Sequence, residues 1–455
     1  FFKQKTAYEI VDCDWSSDVC SSDLSPVPRL ASSVATARGP SGRRIPTRTW
    51  RPQVNVLCTG MSGSGRTSYV NNVRLHALAR GRQLHVFDVR DIMFHLARER
   101  GDALEEETIL DVFPSALGAY RAAAMERILG DVRALPDGEP WLIVTHATFS
   151  WNYSVVPGLD VYYLNQLRPD AFVTITDGIL SIRQRLNEER WRRVTINNLL
   201  WWRDIERSAT EMMAAWQRKP HYLIGRRQGP DTLYRLIFET DVPTAYLSYP
   251  MTHFEGSDLH AKLEAFRQRL RELVVVFDPA AVDDYTLDLN AAVGFSDGSA
   301  GRGAAGSLAG VGGTSHKTGR ARDLLLDGHP DDADGTGRPP NPENLEHVDG
   351  QIVDRDYKLI DQAQLVVVYY PTTTLSAGVI CEMKDAIHRG KRVYAVWLPS
   401  TPPSPFFTRY CTRWFRDEEQ LFAYFRVTGI GAHPPVDLEA LDALPGEAGE
   451  AAVTV

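Results

Sequence analysis

Residues Gly60–Thr67 read GMSGSGRT and follow directly on the apolar run VNVLCT at Val54–Thr59. A short strand, a glycine-rich turn and a helical stretch in this order are typical of a phosphate-binding loop. Glycines let backbone N–H groups turn inward around anionic oxygens, and the following helix adds the positive end of its dipole. The stretch therefore predicts a phosphate site, with the difference that Arg66 stands where a lysine is expected.

The side chains of this loop predict ATP and Mg²⁺ as cofactors. Arg66 keeps the positive charge and can hold a phosphate through two N–H groups, so it is also a candidate catalytic residue. The Thr67 hydroxyl is a candidate ligand of a Mg²⁺ ion that bridges phosphates. The sequence also allows two alternatives: an arginine that binds phosphate without turnover, and a glycine-rich turn that binds no ligand. The predicted cofactor-binding residues are Gly60, Ser62, Gly63, Ser64, Gly65, Arg66, Thr67 and Ser68.

Composition and charge narrow the class of protein. The chain has 455 residues, 43% of them hydrophobic, which indicates two or three domains with sizeable cores. Its net charge of −8 gives no support for binding nucleic acid or an anionic membrane, and its apolar runs are too short to span a bilayer. The five cysteines are odd in number and lack zinc-ligand spacing, so we expect a reducing cytoplasm. We expect nucleotides or nucleosides as partners, and the sequence allows a homo-oligomer.

Strands alternate with helical segments in both halves, which predicts an α/β fold with mostly parallel sheets. Residues 1–24 resemble a translated sequencing-adapter read-through and are left out of the fold prediction. We expect a disordered lead-in over 25–50, a first domain over 51–240, a second over 241–430 and a loose tail over 431–455. Glycine, aspartate and serine dominate about 291–350, which predicts a disordered insert in the second domain.

Three motifs after the third predicted strand carry a family resemblance. THATF at Thr145–Phe149, PGL at Pro157–Leu159 and LRPDAFVTI at Leu167–Ile175 follow in that order. Together with the glycine loop they resemble the archaeal-type adenylate kinases, over about residues 54–238. The resemblance implies a P-loop NTPase-type parallel sheet and ATP-dependent transfer of phosphate to a nucleoside monophosphate.

The same resemblance implies an acceptor site and a lid. Thr145 and His146 match positions that help to hold the acceptor nucleotide, although a structural role for His146 is an equal alternative. Asp88, at the end of the second predicted strand, is a candidate contact for magnesium or acceptor, or an ordinary strand-end acid. An arginine-rich run resembles the lid that closes over the phosphates, or else forms a solvated helix face. Its arginines are Arg183, Arg185, Arg190, Arg192 and Arg193.

A second constellation follows the strand LVVVYY. Ser376–Glu382 read SAGVICE and open a helix, so Glu382 faces the edge of the sheet where ligands of α/β proteins bind. A carboxylate in this place can attack or stabilise an oxocarbenium-like sugar centre. With YLSYPMTH at Tyr246–His253 and RDYKLIDQAQLVVVYY at Arg355–Tyr370, the segment resembles the nucleoside 2-deoxyribosyltransferase family over about 244–430. The resemblance implies a second, flavodoxin/Rossmann-like three-layer α/β domain.

This second resemblance implies roles for single residues. Glu382 matches the nucleophile, and Asp356 and Asp361 on the preceding helix are candidate acids or bases, or ordinary surface acids. The structural alternative for Glu382 is a first-turn acid favoured by the helix dipole. The residues that would line the sugar, phosphate or base pocket are Ser376, Gly378, Tyr246 and Pro250.

The two halves lead to one leading hypothesis and two alternatives. The leading hypothesis is a nucleotide kinase-like domain joined to a domain that cleaves or exchanges N-glycosidic bonds. The first alternative is a non-catalytic sensor of ATP or another nucleotide. The second is an ATPase whose hydrolysis changes the conformation of the partner domain.

Overall fold

A computed structural model describes residues 53–102, 104, 109, 112–151, 154–186, 194, 196–251, 258–282 and 342–431. The adapter-like N-terminus, the predicted lead-in, residues 291–341 of the predicted insert and the tail after residue 431 lie outside these residues.

Five parallel strands form the first sheet: β1 (Val56–Thr59), β2 (His85–Asp88), β3 (Trp141–Val144), β6 (Ala171–Thr176) and β7 (His221–Gly225). Their spatial order is β2-β3-β1-β6-β7. β1, β3 and β6 are buried along their whole length, as expected of central parallel strands covered on both faces. Ligands of such sheets bind beyond the carboxyl ends of the strands, where the strand order reverses, and here that point lies at the end of β1.

Seven helices accompany this sheet within the described part of the chain. The loop after β1 leads into the helix α1, which packs with α7 on one face, while α2, α3 and α4 cover the other. Their bounds are α1 (Arg66–Ala79), α2 (Val89–Arg100), α3 (Pro114–Arg133), α4 (Val161–Leu167), α5 (Ile179–Arg185), α6 (Ile196–Trp216) and α7 (Pro230–Phe238).

The third predicted strand, Pro140–Phe149, is shorter than predicted. β3 ends at Val144, and the chain then forms an antiparallel hairpin of β4 (Thr148–Trp151) and β5 (Ser154–Pro157). The strand ends because the amides of Ala147 and Thr148 donate to a side chain of α6 and not to a neighbouring strand. Sequence patterning alone did not predict this hairpin.

A second sheet of five parallel strands follows. It contains β8 (Thr244–Ser248), β9 (Val275–Phe277), β10 (Leu365–Tyr370), β11 (Arg392–Trp397) and β12 (Arg413–Phe415), in the spatial order β12-β11-β10-β8-β9. The predicted α/β class with a second parallel sheet is thereby confirmed.

Helices surround the second sheet as well. They are α8 (Asp258–Leu273), a short 3₁₀ helix (Pro279–Ala281), α9 (Pro342–Gln362), α10 (Ala377–His388), α11 (Pro405–Arg409) and α12 (Glu418–Thr428). α9 begins at Pro342, so residues 342–350 are helical although they belong to the predicted disordered insert. In the described ranges, no helix combines the length and the apolar character that a membrane crossing requires.

The two sheets share an apolar cluster and a polar contact between Gln362 and Leu223, which is called the seam below. Leu223 of β7 packs in one apolar cluster with Tyr246 and Phe277 of the second sheet. β7 is an edge strand, whose outward N–H and C=O groups need partners when they are buried. Gln362 of α9 supplies both, because its Oε1 accepts from Leu223 N at 2.8 Å and its Nε2 donates to Leu223 O at 2.9 Å.

Replacing this glutamine should destabilise the protein. Gln362→Ala leaves a buried N–H and a buried C=O of Leu223 without partners, which costs about 1–3 kcal/mol in the free energy of unfolding. Urea unfolding of the full chain measures the change. Gln268→Ala, at an exposed position of α8, is the matched control and should change stability by less than about 0.5 kcal/mol. Equal values for the two variants would show that Gln362 does not hold the seam.

Candidate functional site

The glycine loop connects β1 to α1 in a conformation that requires glycine. Gly63 and Gly65 have φ values of +78° and +77°, in the left-handed region that other residues avoid. A Cβ on Gly63 would lie 2.9 Å from Leu186 Cγ, and a Cβ on Gly65 would collide with the side chain of Arg226. Both glycines are therefore fixed by backbone conformation and by close packing, as the sequence predicted for a phosphate loop.

A buried carboxylate holds the start of this loop. Glu206 of α6 is 1% exposed and accepts from the backbone N–H of Gly60 at 3.0 Å, of Ala147 at 2.8 Å and of Thr148 at 2.7 Å. It also accepts from the Thr148 hydroxyl at 2.8 Å. Burial raises the pKa of Glu206, while the Ala147 hydrogen bond and the charge of Arg66 act in the opposite direction. One side chain therefore joins the phosphate loop to the segment after β3.

Arg66 lies folded into the loop. Its Nη1 donates to the carbonyl oxygen of Gly60 and, at 3.3 Å, to that of Met61, and it lies 3.1 Å from His146 Nδ1. Burial lowers the pKa of Arg66 below its usual value. Its Nε and the hydroxyl of Ser64 are buried without a hydrogen-bond partner in the described structure. Unsatisfied polar groups of this kind at a glycine loop fit the binding of an anion, because phosphate oxygens could accept from them.

The surroundings of His146 favour a neutral imidazole. Its Nδ1 lies 3.1 Å from Arg66 Nη1, and the backbone carbonyl of Gly60 is a further hydrogen-bond partner of the ring. Burial and the charges of Arg66 and Arg121 hold the pKa of His146 well below its ordinary value. The ring lies 4.6 Å from that of Phe149 and is nearly parallel to that of Trp202. The structure therefore brings His146 into direct contact with the loop, as well as into an aromatic cluster.

Two oxygen-bearing side chains meet beside the loop. The Thr67 hydroxyl donates to Asp88 Oδ2 at 3.1 Å, while Asp88 Oδ1 accepts from Arg90 N at 3.0 Å and caps α2. A hydroxyl and a carboxylate are ligands that Mg²⁺ accepts, and Mg²⁺ usually takes its remaining ligands from water and phosphates. In the described ranges, no three or more His, Cys, Asp or Glu side chains form a group that could hold a metal by themselves. The residues present thus fit Mg²⁺ bound together with a phosphate ligand.

A cavity of about 360 Å³ opens beside the phosphate loop. This volume is in the range of small-molecule sites. Its lining includes Ser62, Gly63, Thr67 and Ser68 of the loop, together with Thr145 and His146. Much of the remaining lining is apolar and includes Met93, Phe94, Ile109, Leu117, Phe149, Val156 and Trp202. The cavity therefore combines the polar residues of a phosphate-type loop with apolar walls.

Arginines give this cavity its charge. Arg66, Arg90, Arg121 and Arg185 all line it. Arg121 of α3 donates to Pro157 O at 2.6 Å and lies over the Phe149 ring, with its Cζ 4.7 Å from the ring centroid. Burial lowers the pKa of Arg121, while the charge of Asp160 acts in the opposite direction. Sequence reasoning missed this arginine, because only the fold brings α3 to the cavity.

The structure describes two of the predicted lid arginines. Arg185 Nε donates to Gly63 O at 2.5 Å, and its guanidinium pairs with Asp177, a carboxylate at the end of β6 that is 1% exposed. Arg183 lies on the same short helix, and burial lowers its pKa. The remaining arginines of the run, Arg190, Arg192 and Arg193, lie outside the described residues.

A second polar cluster lies at the carboxyl edge of the second sheet. Ser248, the last residue of β8, donates its hydroxyl to Glu382 Oε2 at 2.5 Å. Burial and the nearby charge of Asp356 raise the pKa of Glu382 to about 8, against hydrogen bonds from Ser248 and Tyr246 that favour the carboxylate. The strand order reverses between β8 and β10, so this is the edge where a ligand of the second sheet would bind. The predicted residues Glu382, Asp356 and Tyr246 thus come together, and Ser248 joins them.

The other residues predicted for this site differ in their placement. Ser376 caps α10 and its backbone N–H donates to the Tyr370 hydroxyl at 2.7 Å. Gly378 is exposed in the first turn of α10, whereas Pro250 is buried after β8. Asp361 pairs with Arg389 at 3.0 Å, and its side chain is 51% exposed. We therefore leave Asp361 out of the cluster around Glu382.

Comparisons with known proteins concern the first half of the chain. A family model described as an AAA domain matches residues 59–199. The adenylate kinase of Methanococcus vannielii is 25% identical over 135 residues, which are 30% of this chain and 68% of that enzyme. With the loop geometry, these matches define a P-loop kinase-like domain around the glycine loop.

A solved structure also aligns with this chain. Shikimate kinase from Acinetobacter baumannii, in complex with shikimate, has a TM-score of 0.27 and 15% identity over 41% of this chain and 94% of that one.

Removing the charge of Glu206 should loosen the site and the fold together. In Glu206→Gln, an amide NH₂ replaces one of two oxygens that face only donors, and the charge-assisted bonds are lost. We expect a loss of about 2–3 kcal/mol in the free energy of unfolding, measured by urea denaturation at pH 7. Glu99→Gln, at an exposed position of α2, controls for the change of side chain. A loss below about 0.5 kcal/mol in Glu206→Gln would contradict this role.

Proposed function

We propose that the chain transfers a phosphoryl group from ATP to an anionic acceptor, in our leading hypothesis a nucleoside monophosphate. One observation carries the proposal: a single cavity is lined by the glycine loop, by Arg66 and His146 in contact with each other, and by Thr67, whose hydroxyl donates to Asp88. The similarity to an adenylate kinase supports phosphotransfer in general. The apolar walls of the cavity, with Arg121 over the Phe149 ring, suit an acceptor with both a flat apolar part and a negative charge.

The chain's own residues divide the work of such a transfer. ATP with Mg²⁺ supplies the transferable group and neutralises part of its charge. The amides of Gly63 and Gly65 bind phosphate oxygens, and Thr67 with Asp88 would hold the metal ion. Arg66 exchanges its carbonyl partners for phosphate oxygens and stabilises negative charge that develops during transfer.

His146 acts as a neutral group in this scheme. Because the ring contacts Arg66 through Nδ1 and lines the cavity, it holds the guanidinium at the wall that would face the acceptor. Arg185, which already contacts the loop at Gly63, supplies a further positive charge. The arginines stabilise the negative charge of the phosphoryl group during its transfer. No side chain is required to act as a general base.

A product assay tests the kinase proposal. The full chain is incubated with ATP–Mg²⁺ and a panel of nucleoside monophosphates, and nucleotides and free bases are separated by chromatography. We expect ADP and a nucleoside diphosphate to form in equal amounts, and Arg66→Ala to reduce ATP affinity by at least about tenfold, since a charge-assisted contact is lost. Arg74→Ala, at an exposed position of α1, is the matched control.

The outcomes of this assay separate the hypotheses. Binding of ATP without any product favours the non-catalytic sensor, and formation of ADP and phosphate without a transferred group favours an ATPase. Binding that Arg66→Ala leaves unchanged would contradict the role of the arginine.

We propose a second activity, the processing of an N-glycosidic bond of a nucleoside or nucleotide, at the cluster around Glu382. The hydrogen bond from Ser248 and the neighbouring Asp356 support it, since they place a carboxyl group among polar partners at the ligand-binding edge of the sheet. In this proposal the Glu382 carboxylate forms a bond to the sugar C1′ as the bond to the base nitrogen breaks, and the departing base takes up a proton from water. Water or a second base then releases the sugar from Glu382.

The pKa of Glu382 predicts the pH dependence of this activity. A nucleophile must be ionised, and a pKa of about 8 leaves most of the carboxyl protonated at pH 7. Release of free base should therefore increase from pH 6.5 to pH 9, and Glu382→Gln should abolish it. A rate that falls over this range would contradict a nucleophilic role.

Stability provides a readout of Glu382 that does not depend on activity. Because the folded-state pKa is raised from 4.5 to about 8, the protonated carboxyl favours folding at low pH, and this contribution is lost as pH rises towards 8. Wild type should therefore lose stability relative to Glu382→Gln between about pH 4.5 and 8, as measured by thermal unfolding. The exposed Glu272→Gln serves as control.

A further inference from the structure

The segment Gly225–Gly229 after β7 lies between the phosphate loop and the second sheet. Its start is fixed to the first sheet, because Arg226 N donates to Thr176 O at 2.7 Å. Its end contacts the helix that follows the phosphate loop, since the Tyr69 hydroxyl of α1 donates to Gly229 O at 3.1 Å. The segment is therefore a neighbour of the nucleotide site, although it follows the predicted lid in the sequence.

The second sheet holds the other side of this segment. A Cβ on Gly225 would lie 2.7 Å from Ala281 Cβ and 2.8 Å from Ala281 O, so the backbone packs directly against the 3₁₀ helix after β9. The Gln228 side chain, 4% exposed, accepts from Gly225 N at 3.2 Å and donates to Val276 O of β9 at 2.7 Å. The second sheet thus fixes the position of the segment through packing and a buried hydrogen bond.

Arg226 extends from this segment over the phosphate loop. Its Cδ and guanidinium lie against Gly65, the residue just before α1. Its Nη1 is 3.8 Å from Asp177 Oδ2, and its side chain is 38% exposed. Asp177 also pairs with Arg185, so one carboxylate faces two guanidiniums. Asp177 therefore has to serve two guanidiniums beside the loop, near the buried Nε of Arg66 that has no hydrogen-bond partner in the described structure.

We propose that Arg226 binds the phosphate chain of a nucleoside triphosphate at the Gly60–Thr67 loop, and that Gln228 positions it from the second sheet. The inference rests on the proposed nucleotide site and adds to it a binding residue and a structural dependence on the second half of the chain. Arg226 moves from its loose pairing with Asp177 to phosphate oxygens, which accept two parallel N–H bonds from a guanidinium. Gln228 does not touch the ligand and acts only through the placement of Arg226.

Calorimetric titration of the full chain with ATP–Mg²⁺ and with inorganic tripolyphosphate tests the assignment. Arg226→Ala should weaken both ligands by about tenfold, the usual effect of removing a charged hydrogen-bond donor. Equal factors for the two ligands place Arg226 on the phosphates. A loss confined to ATP would place it on the base and would overturn the assignment. Arg74→Ala on α1 removes one charge from an exposed site and should leave both affinities within about twofold of wild type.

A double-mutant cycle tests the positioning role. Gln228→Ala should weaken ATP binding about three- to tenfold when Arg226 is present, and should have no further effect in Arg226→Ala. Equal losses in both backgrounds would show that Gln228 acts on the fold and not through Arg226. Thermal unfolding of each variant confirms that the proteins compared are folded.

The wild-type titration separates this inference from the proposed function. If wild type binds ATP and tripolyphosphate while Arg226→Ala binds them equally well, only the assignment of Arg226 is wrong. If wild type binds neither ligand, the nucleotide site itself is wrong, and the inference is overturned with it.

Discussion

The hydrogen bonds to Glu206 are the constraint on which the phosphate site depends. Three backbone N–H groups from two separate loops donate to a single carboxylate that is 1% exposed. Each bond is short, and leaving any of these buried donors unpaired would be costly. Glu206 therefore fixes the distance between Gly60 and the segment after β3. This spacing lets the side chain of Arg66 contact His146.

The same helix connects the site to the rest of the chain. α6 carries Glu206 on its buried face, and its Glu211 pairs with Lys358 of α9 at 2.6 Å. Gln351 of α9 donates to Leu200 O of α6 at 2.9 Å. α9 also carries Asp356, next to Glu382. The two candidate sites therefore include residues of two helices that pack against each other, α6 and α9.

Sequence reasoning was most successful where the determinants are local. The spacing of the loop glycines predicted the turn in which Gly63 and Gly65 have positive φ, and the apolar run Val54–Thr59 contains the observed β1. It failed where the fold brings distant residues together. Glu206 is 146 residues from Gly60. It is one acid among several on a long helix, and no neighbouring sequence motif distinguishes it from the others. The end of β3 at Val144 escaped prediction for the same reason, because a side chain of α6 captures the amides that follow it.

The two sites also differ in how far sequence could define them. Glu382 was predicted from its place after a strand, yet its partner Ser248 comes from β8, 134 residues away. Arg226 belongs to a short turn with an adjacent arginine, and its position depends on contacts with distant residues such as the packing of Gly225 on Ala281. Residues that act through long-range contacts are recognised only in the folded structure, whereas backbone conformations that require glycine can be predicted from the sequence.

The central claim is that the amides of the Gly60–Thr67 loop bind the phosphates of ATP. Hydrogen–deuterium exchange of the full chain, with and without saturating ATP–Mg²⁺, tests this claim most directly. The account predicts slower exchange in peptides that cover Gly60–Ser68, with no change in peptides from the carboxyl-terminal end of α3, which does not line the cavity. Identical exchange of the loop peptides in both conditions would contradict it.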